Sequence, residues 1–386
     1  MTEQATDPTR EALRQARRIV VKVGSSSLTT AEGGLDRDAL VRVVDTLVDV
    51  RAGGKQVVLI SSGAIAAGLA PLGMTSRPRG LAAQQAAASV GQGLLVQAYT
   101  EAFGRQGLRV GQVLLTVDDL TRLSTYRNAA RTLSTLLRLQ AVPVVNENDT
   151  VATHEVRFGD NDRLAALVAQ VVHADALVLL TDVDALYTTH PSEPGAEPVH
   201  HVPDIDVLEV DTSRVGSKVG TGGMVTKLEA AQIATSAGIP VLLTSAANIR
   251  PALYGEQVGT WFDPVDKRRP RRLLWLAHVS NTRGRLVIDA GAERALTQRG
   301  ASLLAVGVTG FDGDFVAGDP VDIVGPGGRP IARGLVGFSS EELPAMIGKS
   351  SQELADALGP QYERVLVHRD ALILLHPPVG SNGATS

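Results

Sequence analysis

The first residues that could do chemistry are a lysine inside an apolar run and a glycine turn that opens a helix. Lys22 lies in the run 19–23, where a charged side chain is costly unless an anion lies nearby. The small residues 24–27 leave backbone N–H groups free to approach an anion. The segment 61–68, Ser-Ser-Gly-Ala-Ile-Ala-Ala-Gly, presents a helix N-terminus that suits a carboxylate or a phosphate. Structural alternatives stay open: a lysine that reaches water from an edge strand, and a glycine that permits close packing.

Two clusters of short polar side chains indicate a polar ligand or a metal-bound phosphate. Asn146–Asp149 follows an apolar run that ends at Val145, and Gly159–Asp162 precedes a helical segment. Ordinary turns also use Asn, Asp and Gly for local backbone hydrogen bonds, so one such cluster would be unremarkable. Two clusters near one apolar strand favour carboxamides and carboxylates that converge on a ligand. Asp162 also stands where a helix N-cap would, which leaves a purely structural role open.

A further pair of segments points to phosphate binding. Thr181-Asp182 follows another apolar run, and Thr221–Lys227 is a glycine-rich loop with a lysine at the start of a helix. Backbone N–H groups at such a helix start favour phosphates. The Walker A motif is incomplete, because Gly348-Lys349-Ser350 has Leu343 where the motif needs its first glycine. The dinucleotide fingerprint is incomplete as well, because Val96 and Val225 stand at the last glycine position after Gly91-Gln92-Gly93 and Gly220-Thr221-Gly222. The P-loop and Rossmann folds are therefore disfavoured.

These residues stand at the ends of short β-branched runs that alternate with longer Ala- and Leu-rich helical segments. The predicted strands are Ile19–Val23, Val57–Ser61, Val110–Leu115, Val142–Val145, Ala176–Leu180 and Ile239–Leu243. The predicted helices are Asp38–Arg51, Ala82–Phe103, Asn128–Leu139, Arg163–Val172 and Thr226–Ala237. Continuous apolar strands are buried on both faces, as in a parallel sheet covered by helices. The pattern predicts an α/β layered domain whose ligands bind where the strands end.

The sequence pattern changes near Asp263, which is followed by a stretch rich in proline and cationic residues. The predicted organisation is a catalytic domain over 1–265, a linker over 266–282, a small mostly-β domain over 283–376 and a disordered tail over 377–386. Gly325–Gly328 between two apolar runs predicts a hairpin. Ser339 with Glu342, and Ser350 with Glu353, form the sequence pattern of capping boxes that each open a short helix.

Composition excludes several classes of function. The chain has 386 residues, no cysteine, 3% aromatic residues and a net charge of −4. Disulfides, thiolate metal sites and cysteine nucleophiles are therefore excluded, and a base-stacking surface is disfavoured. The apolar runs are too short to predict a membrane span, and the polar residues 1–18 lack the apolar stretch of a signal peptide. We expect a cytoplasmic protein.

Taken together, the four loops resemble those of the amino-acid-kinase superfamily, and within it the glutamate 5-kinase family, in order and in approximate spacing. The region beyond Arg283 resembles the PUA domain, an RNA-associated β fold that many members of that family carry. The resemblance implies a three-layer αβα sandwich with a mainly parallel sheet, followed by a mostly-β PUA-like domain. The implied reaction transfers the γ-phosphoryl group of ATP to the side-chain carboxylate of L-glutamate, the first step of proline biosynthesis.

The resemblance also implies roles for individual residues. The family's two catalytic lysines match Lys22 and Lys227, and Asp162 matches the aspartate that holds their ammonium groups. The implied glutamate-binding residues are Ser62, Asp149 and Asn161. The implied ATP-binding residues are Lys22, Thr181, Asp182, Thr221, Gly222, Gly223, Met224, Val225, Thr226 and Lys227. Mg²⁺ would arrive with ATP, held by phosphate oxygens and water, so no metal site made by the protein is expected.

Other implications concern partners and alternatives. The family leads us to expect a homo-oligomer and inhibition by proline as an effector. An N-acetylglutamate or aspartate kinase of the same superfamily would keep the ATP loops and change the acceptor site. An RNA-associated factor acting through the PUA-like domain is the alternative from another class, although the net charge of −4 disfavours RNA binding.

Overall fold

The computed structural model describes residues 8–30, 34–121, 123–151, 161–208, 223–265, 276 and 282–375. The chain divides into two units, one of Met1–Leu120 with Asn128–Arg268 and the other of Thr121–Arg127 with Arg269–Ser386. The predicted domain limits stay predictions. The linker over 266–282 lies outside the described residues except for Leu276 and Thr282, and the tail over 377–386 lies wholly outside them.

The helices and strands follow the predicted alternation through the first 265 residues. The helices are α1 (Pro8–Gln15), α2 (Arg37–Ala52), α3 (Ala64–Leu69), α4 (Leu81–Gly104), α5 (Val117–Thr121), α6 (Leu123–Arg138), α7 (Asn161–Val171), α8 (Met224–Ser236) and α9 (Ile249–Leu253). The strands are β1 (Arg18–Val23), β2 (Gln56–Ser61), β3 (Val110–Leu115), β4 (Val142–Glu147), β5 (Ala176–Thr181), β6 (Leu186–Tyr187), β7 (Pro198–Val199), β8 (His201–Val202), β9 (Val241–Ser245) and β10 (Thr260–Phe262). In the described part of the chain, no helix has the length and apolar character that crossing a bilayer requires.

A large sheet carries the first unit, with the strand order β3-β4-β2-β1-β5-β9-β10-β8 among the described residues. From β3 to β9 neighbouring strands are parallel, which confirms the prediction of a mainly parallel sheet. Among the described strands of this sheet, β10 is the exception to parallel pairing, because it pairs antiparallel with β9. Its short sequence, Thr-Trp-Phe, gave no periodic signal.

The two faces of this sheet bury different sets of helices. Ile19, Val21 and Val23 of β1 belong to one core cluster with residues of α2, α4 and α9. Side chains alternate between the faces along a strand, so Val20 and Lys22 face the opposite layer, where α7 packs against β1 and α8 packs against α7. The single charged residue of β1 beyond Arg18 therefore points toward α7 and α8.

Helices α3 and α4 are in contact backbone against backbone. A Cβ atom added at Gly68 would lie 1.9 Å from the carbonyl oxygen of Ala87, and one added at Gly91 would lie 1.8 Å from the carbonyl oxygen of Ala64. Neither distance is possible for a real side chain. Gly63, with φ +106°, turns the chain from β2 into α3, a conformation that favours glycine. This packing fixes the start of α3 and the loop that carries Ser62.

The second unit contains a smaller sheet of mostly antiparallel strands. Its elements are β11 (Gly284–Ile288), α10 (Ala290–Arg299), β12 (Val308–Gly313), β13 (Pro320–Val324), β14 (Pro330–Val336), α11 (Ser351–Leu358) and β15 (Val367–Leu374). The strand order among the described residues is β12-β11-β13-β14-β15. Strands β13 and β14 form the predicted hairpin, and a core of apolar side chains covers one side of the sheet.

The two capping-box predictions had different outcomes. Ser350 and Glu353 form a complete capping box at the start of α11. Glu342 accepts hydrogen bonds from the backbone and the hydroxyl of Ser339 at 2.7 and 2.9 Å. The chain then forms a single 3₁₀ turn, Leu343–Ala345, so the prediction of a short helix there was wrong as to type. Pro344 lies inside that turn, and it lacks the backbone N–H that a continuing α-helix would use.

We expect the contact between α3 and α4 to tolerate no side chain. Gly91→Ala should lower the free energy of unfolding by about 1–3 kcal/mol, because the added methyl group forces two backbones apart. Gly93→Ala on the same helix is the matched control, since nothing lies within 4 Å of its Cβ position, and it should leave stability unchanged or slightly raised. Calorimetric melting curves of the full chain measure both variants. Equal melting temperatures for Gly91→Ala and the wild type would contradict the close packing.

Candidate active site

The carboxyl ends of four neighbouring strands bring the predicted loops to one edge of the large sheet. The strands β4, β2, β1 and β5 are adjacent and parallel, and Val23 at the end of β1 is in register with Ser61 and with Leu180. Ligands of open parallel sheets bind at this edge. The loops after these strands therefore share one site.

A buried carboxylate lies at the centre of this site, between two lysines. Asp162 is the second residue of α7 and is 1% exposed. Lys22 Nζ lies 2.5 Å from its Oδ1 atom, and Lys227 Nζ lies 3.3 Å from its Oδ2 atom. Thr226 donates a hydrogen bond of 2.9 Å to Oδ2. The lysines are 5% and 7% exposed, so β1, α7 and α8 contribute one buried charge each.

The pKa values in this cluster follow from burial and from the neighbouring charges. Burial alone would raise the pKa of Asp162, but Lys22 and Lys227 overcome that effect and hold its pKa at about 2. Burial lowers the pKa of Lys227, and the carboxylate of Asp162 opposes that change. With Asp162 ionised and both lysines protonated, the three side chains together carry one net positive charge. A buried site with that charge attracts an anion such as a phosphoryl group.

The loop after β1 continues the same surface. Gly24 precedes a 3₁₀ turn, Ser25–Ser27. A Cβ atom at Gly24 would lie 3.7 Å from Lys22 Nζ and 3.8 Å from Ser26 Oγ, so the ammonium group and this hydroxyl both flank the glycine. The sequence has three consecutive serines, 25–27, and does not show which of them would contact phosphate. The backbone turn places Ser26 beside Gly24.

A second group of side chains, next to the first, consists of uncharged hydrogen-bonding residues. Asn161 Nδ2 donates to Ser62 Oγ and to Asn146 Oδ1, each at 3.0 Å. Asn146 Nδ2 donates to Gln92 Oε1 at 2.7 Å, and the backbone N–H of Glu147 donates to Asn146 Oδ1 at 2.8 Å. Asn161 and Asp162 are consecutive, so the start of α7 joins the charged cluster to this amide cluster.

Asp149 lies just beyond the end of β4 and is half-buried. Burial raises the pKa of this carboxyl to about 6, and the nearby charge of Arg77 only partly opposes the shift. Burial also lowers the pKa of Arg77. A carboxylate held partly out of water gains from the arrival of a cation, and a ligand ammonium group would be such a cation.

Apart from Lys22 in β1, the described residues among those expected to bind the nucleotide lie at the end of β5 and at the start of α8. Thr181 donates a hydrogen bond of 2.8 Å to the side chain of Asp182. Gly223 precedes α8 in extended conformation, and no side chain caps the helix there. The first N–H groups of this 13-residue helix and its positive dipole end therefore suit a phosphate. Within α8, Met224 is buried and Val225 is exposed.

Several sequence-predicted residues come together here, although their roles stay predictions. Lys22, Lys227 and Asp162 form the charged cluster, and Ser62 joins Asn161 in the amide cluster. Asp149 stands outside both clusters in the hydrogen bonds among the described residues. The predicted residues Thr221 and Gly222, and the segment Gly159-Asp160, lie outside the described part of the chain.

Sequence reasoning did not assign roles to Asn146 and Gln92. Asn146 belongs to the polar cluster 146–149, which was the available signal. Gln92 lies in the middle of a helix between Gly91 and Gly93, and this local pattern predicted no contact with a distant side chain. Within the described residues, no three His, Cys, Asp or Glu side chains come together in a way that could hold a metal ion.

Comparison with curated proteins gives relatives that match almost the whole chain. A protein named glutamate 5-kinase from Streptomyces coelicolor is 60% identical over 370 residues, which cover 95% of this chain and 99% of that protein. One of the same name from Salinispora arenicola is 61% identical over 368 residues, covering 95% and 100%. Another from Thermobifida fusca is 56% identical over 382 residues, covering 98% and 97%.

Comparison with family models divides the chain in the same order as its folded parts. The model of the PUA domain matches residues 284–358, which include β11 to β14 and α11. The model described as the amino acid kinase family matches residues 17–245, which contain both lysines and Asp162. With this match over more than half of its length and relatives of about 60% identity, the chain belongs to the amino acid kinase family.

Proposed function

We propose that this protein is an ATP-dependent kinase that phosphorylates the side-chain carboxylate of L-glutamate, forming glutamyl 5-phosphate in the first step of proline biosynthesis. The observation that carries the proposal is the buried pair of lysines on Asp162, located next to an amide cluster. The names of the relatives that match nearly the whole chain support the same activity.

The charged cluster suits phosphoryl transfer to a carboxylate. In the proposed reaction an oxygen of the glutamate side chain bonds to the γ-phosphorus, while the bond to the oxygen that bridges the β- and γ-phosphates breaks and ADP leaves. The side chain of glutamate has a pKa near 4.3, so it is already ionised at neutral pH and needs no general base. Catalysis then consists of positioning and charge stabilisation, which Lys22 and Lys227 would supply.

Asp162 acts in this proposal as a positioning residue that touches both lysines. The ionised carboxylate of Asp162 offsets part of the repulsion between the two ammonium groups. The low pKa of Asp162 keeps the carboxyl group ionised at all physiological pH values. Because all three groups are nearly excluded from water, their geometry is set before ATP binds. Preorganised charge of this kind stabilises a transition state without the cost of reorganising solvent.

The acceptor would bind between the amide cluster and Asp149. We propose that Ser62 and Asn161 bind oxygen and nitrogen atoms of glutamate, and that Asp149 accepts its α-ammonium group. N-acetylglutamate lacks that ammonium group, so the half-buried carboxylate of Asp149 favours glutamate over it. Aspartate keeps the ammonium group but is one methylene shorter, and its carboxylate would fall short of the γ-phosphate.

ATP would bind with its phosphates at the start of α8, close to Lys227, and with Thr181 and Asp182 beside it. Mg²⁺ enters this proposal as part of the substrate MgATP, held by phosphate oxygens and water.

Three further features belong to the proposal on the strength of the family alone. We propose a homo-oligomer, inhibition by proline and a cytoplasmic location for the enzyme. Binding of RNA by the PUA domain is not part of the proposal, since the whole chain carries a net charge of −4 and a protein that binds nucleic acid through its whole surface would be basic.

The choice of acceptor is the direct test of the proposed function. Transfer of labelled γ-phosphate from ATP should be fast with L-glutamate, and at least about 100-fold slower with N-acetylglutamate or L-aspartate, as expected for a site that loses a paired polar group or shifts its acceptor. Hydroxylamine converts the acyl phosphate to a hydroxamate and releases the labelled phosphate, and both products are measured. Faster transfer to either alternative acceptor would refute the proposed substrate.

Removing either lysine should slow the chemical step. Lys22→Ala and Lys227→Ala should each lower kcat by about 10²-fold or more, which is the scale for losing one preorganised donor. Lys349→Ala is the matched control, because this lysine is exposed in the second unit and its loss should leave kcat unchanged. Steady-state kinetics with saturating MgATP and glutamate measure the effect. Wild-type turnover in a folded Lys22→Ala or Lys227→Ala variant would contradict the assigned roles.

Binding of glutamate should weaken as pH falls through the pKa of Asp149. The sign follows from the raised pKa of about 6: above this value the carboxylate is ionised and attracts the α-ammonium group, and below it affinity drops about tenfold per pH unit. Glutamate itself keeps its side chain ionised at pH 5. Calorimetric titration of glutamate without ATP, between pH 5 and 8, measures this dependence.

Two variants make the pH experiment specific to this carboxylate. Asp149→Asn should bind glutamate weakly and should lose the pH dependence between 5 and 7. Asp149→Ala should raise the KM for glutamate far more than the KM for ATP. An unchanged pH profile in Asp149→Asn, or equal effects on the two KM values in Asp149→Ala, would show that another group binds the ammonium.

A further inference from the structure

The amide cluster contains a hydrogen bond whose direction is fixed by the backbone. The N–H of Glu147 can only donate, and it points at the side-chain oxygen of Asn146 at 2.8 Å. This contact fixes which end of the Asn146 amide is oxygen. Its nitrogen must then face α4, where Gln92 Oε1 accepts the hydrogen bond at 2.7 Å. The orientation of both amides therefore follows from one backbone group.

The direction of the hydrogen bonds is fixed in the same way at Asn161 and Ser62, the residues proposed to bind glutamate. Because Asn146 presents its oxygen, Asn161 must present its nitrogen, which donates to Asn146 Oδ1 and to Ser62 Oγ at 3.0 Å each. The Ser62 hydroxyl accepts that bond, so its own proton is left to donate. Among the described residues, Asn161 Oδ1 is buried without a hydrogen-bond partner, and it is left to accept. The cluster thus offers one donor and one acceptor of defined position.

We infer that Gln92 is a positioning residue for the acceptor site, acting through Asn146 and Asn161 on the Ser62 hydroxyl. This inference rests on the proposed function, since it assigns the free Ser62 proton to an oxygen of glutamate. In the described hydrogen bonds, Gln92 connects α4 to the side-chain amides of this cluster, whereas Tyr99 of the same helix bonds to the hydroxyl of Ser61. Asn146 is 2% exposed, so loss of its partner leaves a buried N–H unpaired, and turning the amide over would set that N–H against the N–H of Glu147.

The packing of α4 supports a positioning role for this residue. Gln92 follows Gly91, whose missing side chain allows α4 to contact the start of α3 directly. Ser62 immediately precedes the turn at Gly63 that opens α3. One short stretch of α4 therefore sets the position of the Ser62 backbone through Gly91 and the direction of its hydroxyl through Gln92. An exposed glutamine on the same helix, Gln97, pairs only with Glu101 in the described contacts.

The test compares variants that keep or remove the hydrogen-bond acceptor of the side chain at position 92. Gln92→Met has a similar length and replaces the amide oxygen by a thioether, which is only a weak hydrogen-bond acceptor. It should raise the KM for glutamate about tenfold, while the KM for ATP changes by less than twofold. Gln92→Glu keeps an acceptor oxygen and should stay within about threefold of the wild-type KM for glutamate. Gln97→Met is the matched control on the solvent side of α4 and should change neither KM.

A double-variant cycle tests whether Gln92 acts through Asn146. If it does, Gln92→Met should add almost nothing to the KM for glutamate in an Asn146→Ala background, because coupled residues are not additive. Additive effects would overturn the inference, as would an unchanged KM in Gln92→Met. If Asn146→Ala does not fold, the contrast between Gln92→Met and Gln92→Glu still decides, since equal losses in both variants would also overturn it.

Failure of this inference is separable from failure of the proposed function. If the wild-type protein phosphorylates glutamate and Gln92→Met does so with an unchanged KM, the positioning role is wrong and the proposed function stands. If the wild-type protein transfers no phosphate to glutamate, the proposed function is wrong and the inference fails with it.

Discussion

A carboxylate buried between two ammonium groups is the interaction on which the rest of this site depends. Asp162 is 1% exposed, and neither lysine exceeds 7%, so any of the three charges alone would be strongly disfavoured at that depth. Together they are mutually stabilised, and one positive charge is left for an anion. This arrangement requires β1, α7 and α8 to converge. It explains why α7 is buried along nearly its whole length, between the sheet and α8.

In the proposed reaction, the start of α7 would also fix the distance between the phosphoryl group and the acceptor. Successive residues of a helix point about 100° apart, so Asn161 faces the amide cluster while Asp162 faces the lysines. In the proposed reaction, a phosphoryl group held by the lysines and an acceptor held by Ser62 and Asn161 would therefore be positioned by one turn of one helix. In-line transfer depends on that alignment. A rigid helix start is a more accurate support for it than two independent loops would be.

Sequence reasoning could predict the features that depend on local pattern. Apolar runs and their spacing predicted the central strands, and a lysine within one of them was recognisable as chemically significant because its burial is costly. Contacts between distant segments gave no such signal. Gln92 reaches Asn146 across 54 positions of sequence, and its neighbours in α4 look like ordinary helix. The pairing of β10 against β9 and the contact of Gly68 with α4 likewise exist only after the chain has folded.

The two carboxylates at this sheet edge show how partners, more than burial, decide what an acid can bind. Burial pushes the pKa of both Asp162 and Asp149 upward, yet the pKa of Asp162 falls to about 2 and that of Asp149 rises to about 6. The charge of Asp162 is already compensated by Lys22 and Lys227, so no ligand cation is required to stabilise it. Among the described residues, Arg77 is the cation whose charge lowers the pKa of Asp149, and it does not offset the burial. A substrate that brings its own ammonium group would complete the second pair, whereas an acylated amine would leave Asp149 without that second cation. Selectivity for an amino acid with a free α-ammonium group would then follow from the incomplete compensation of the Asp149 charge by the protein.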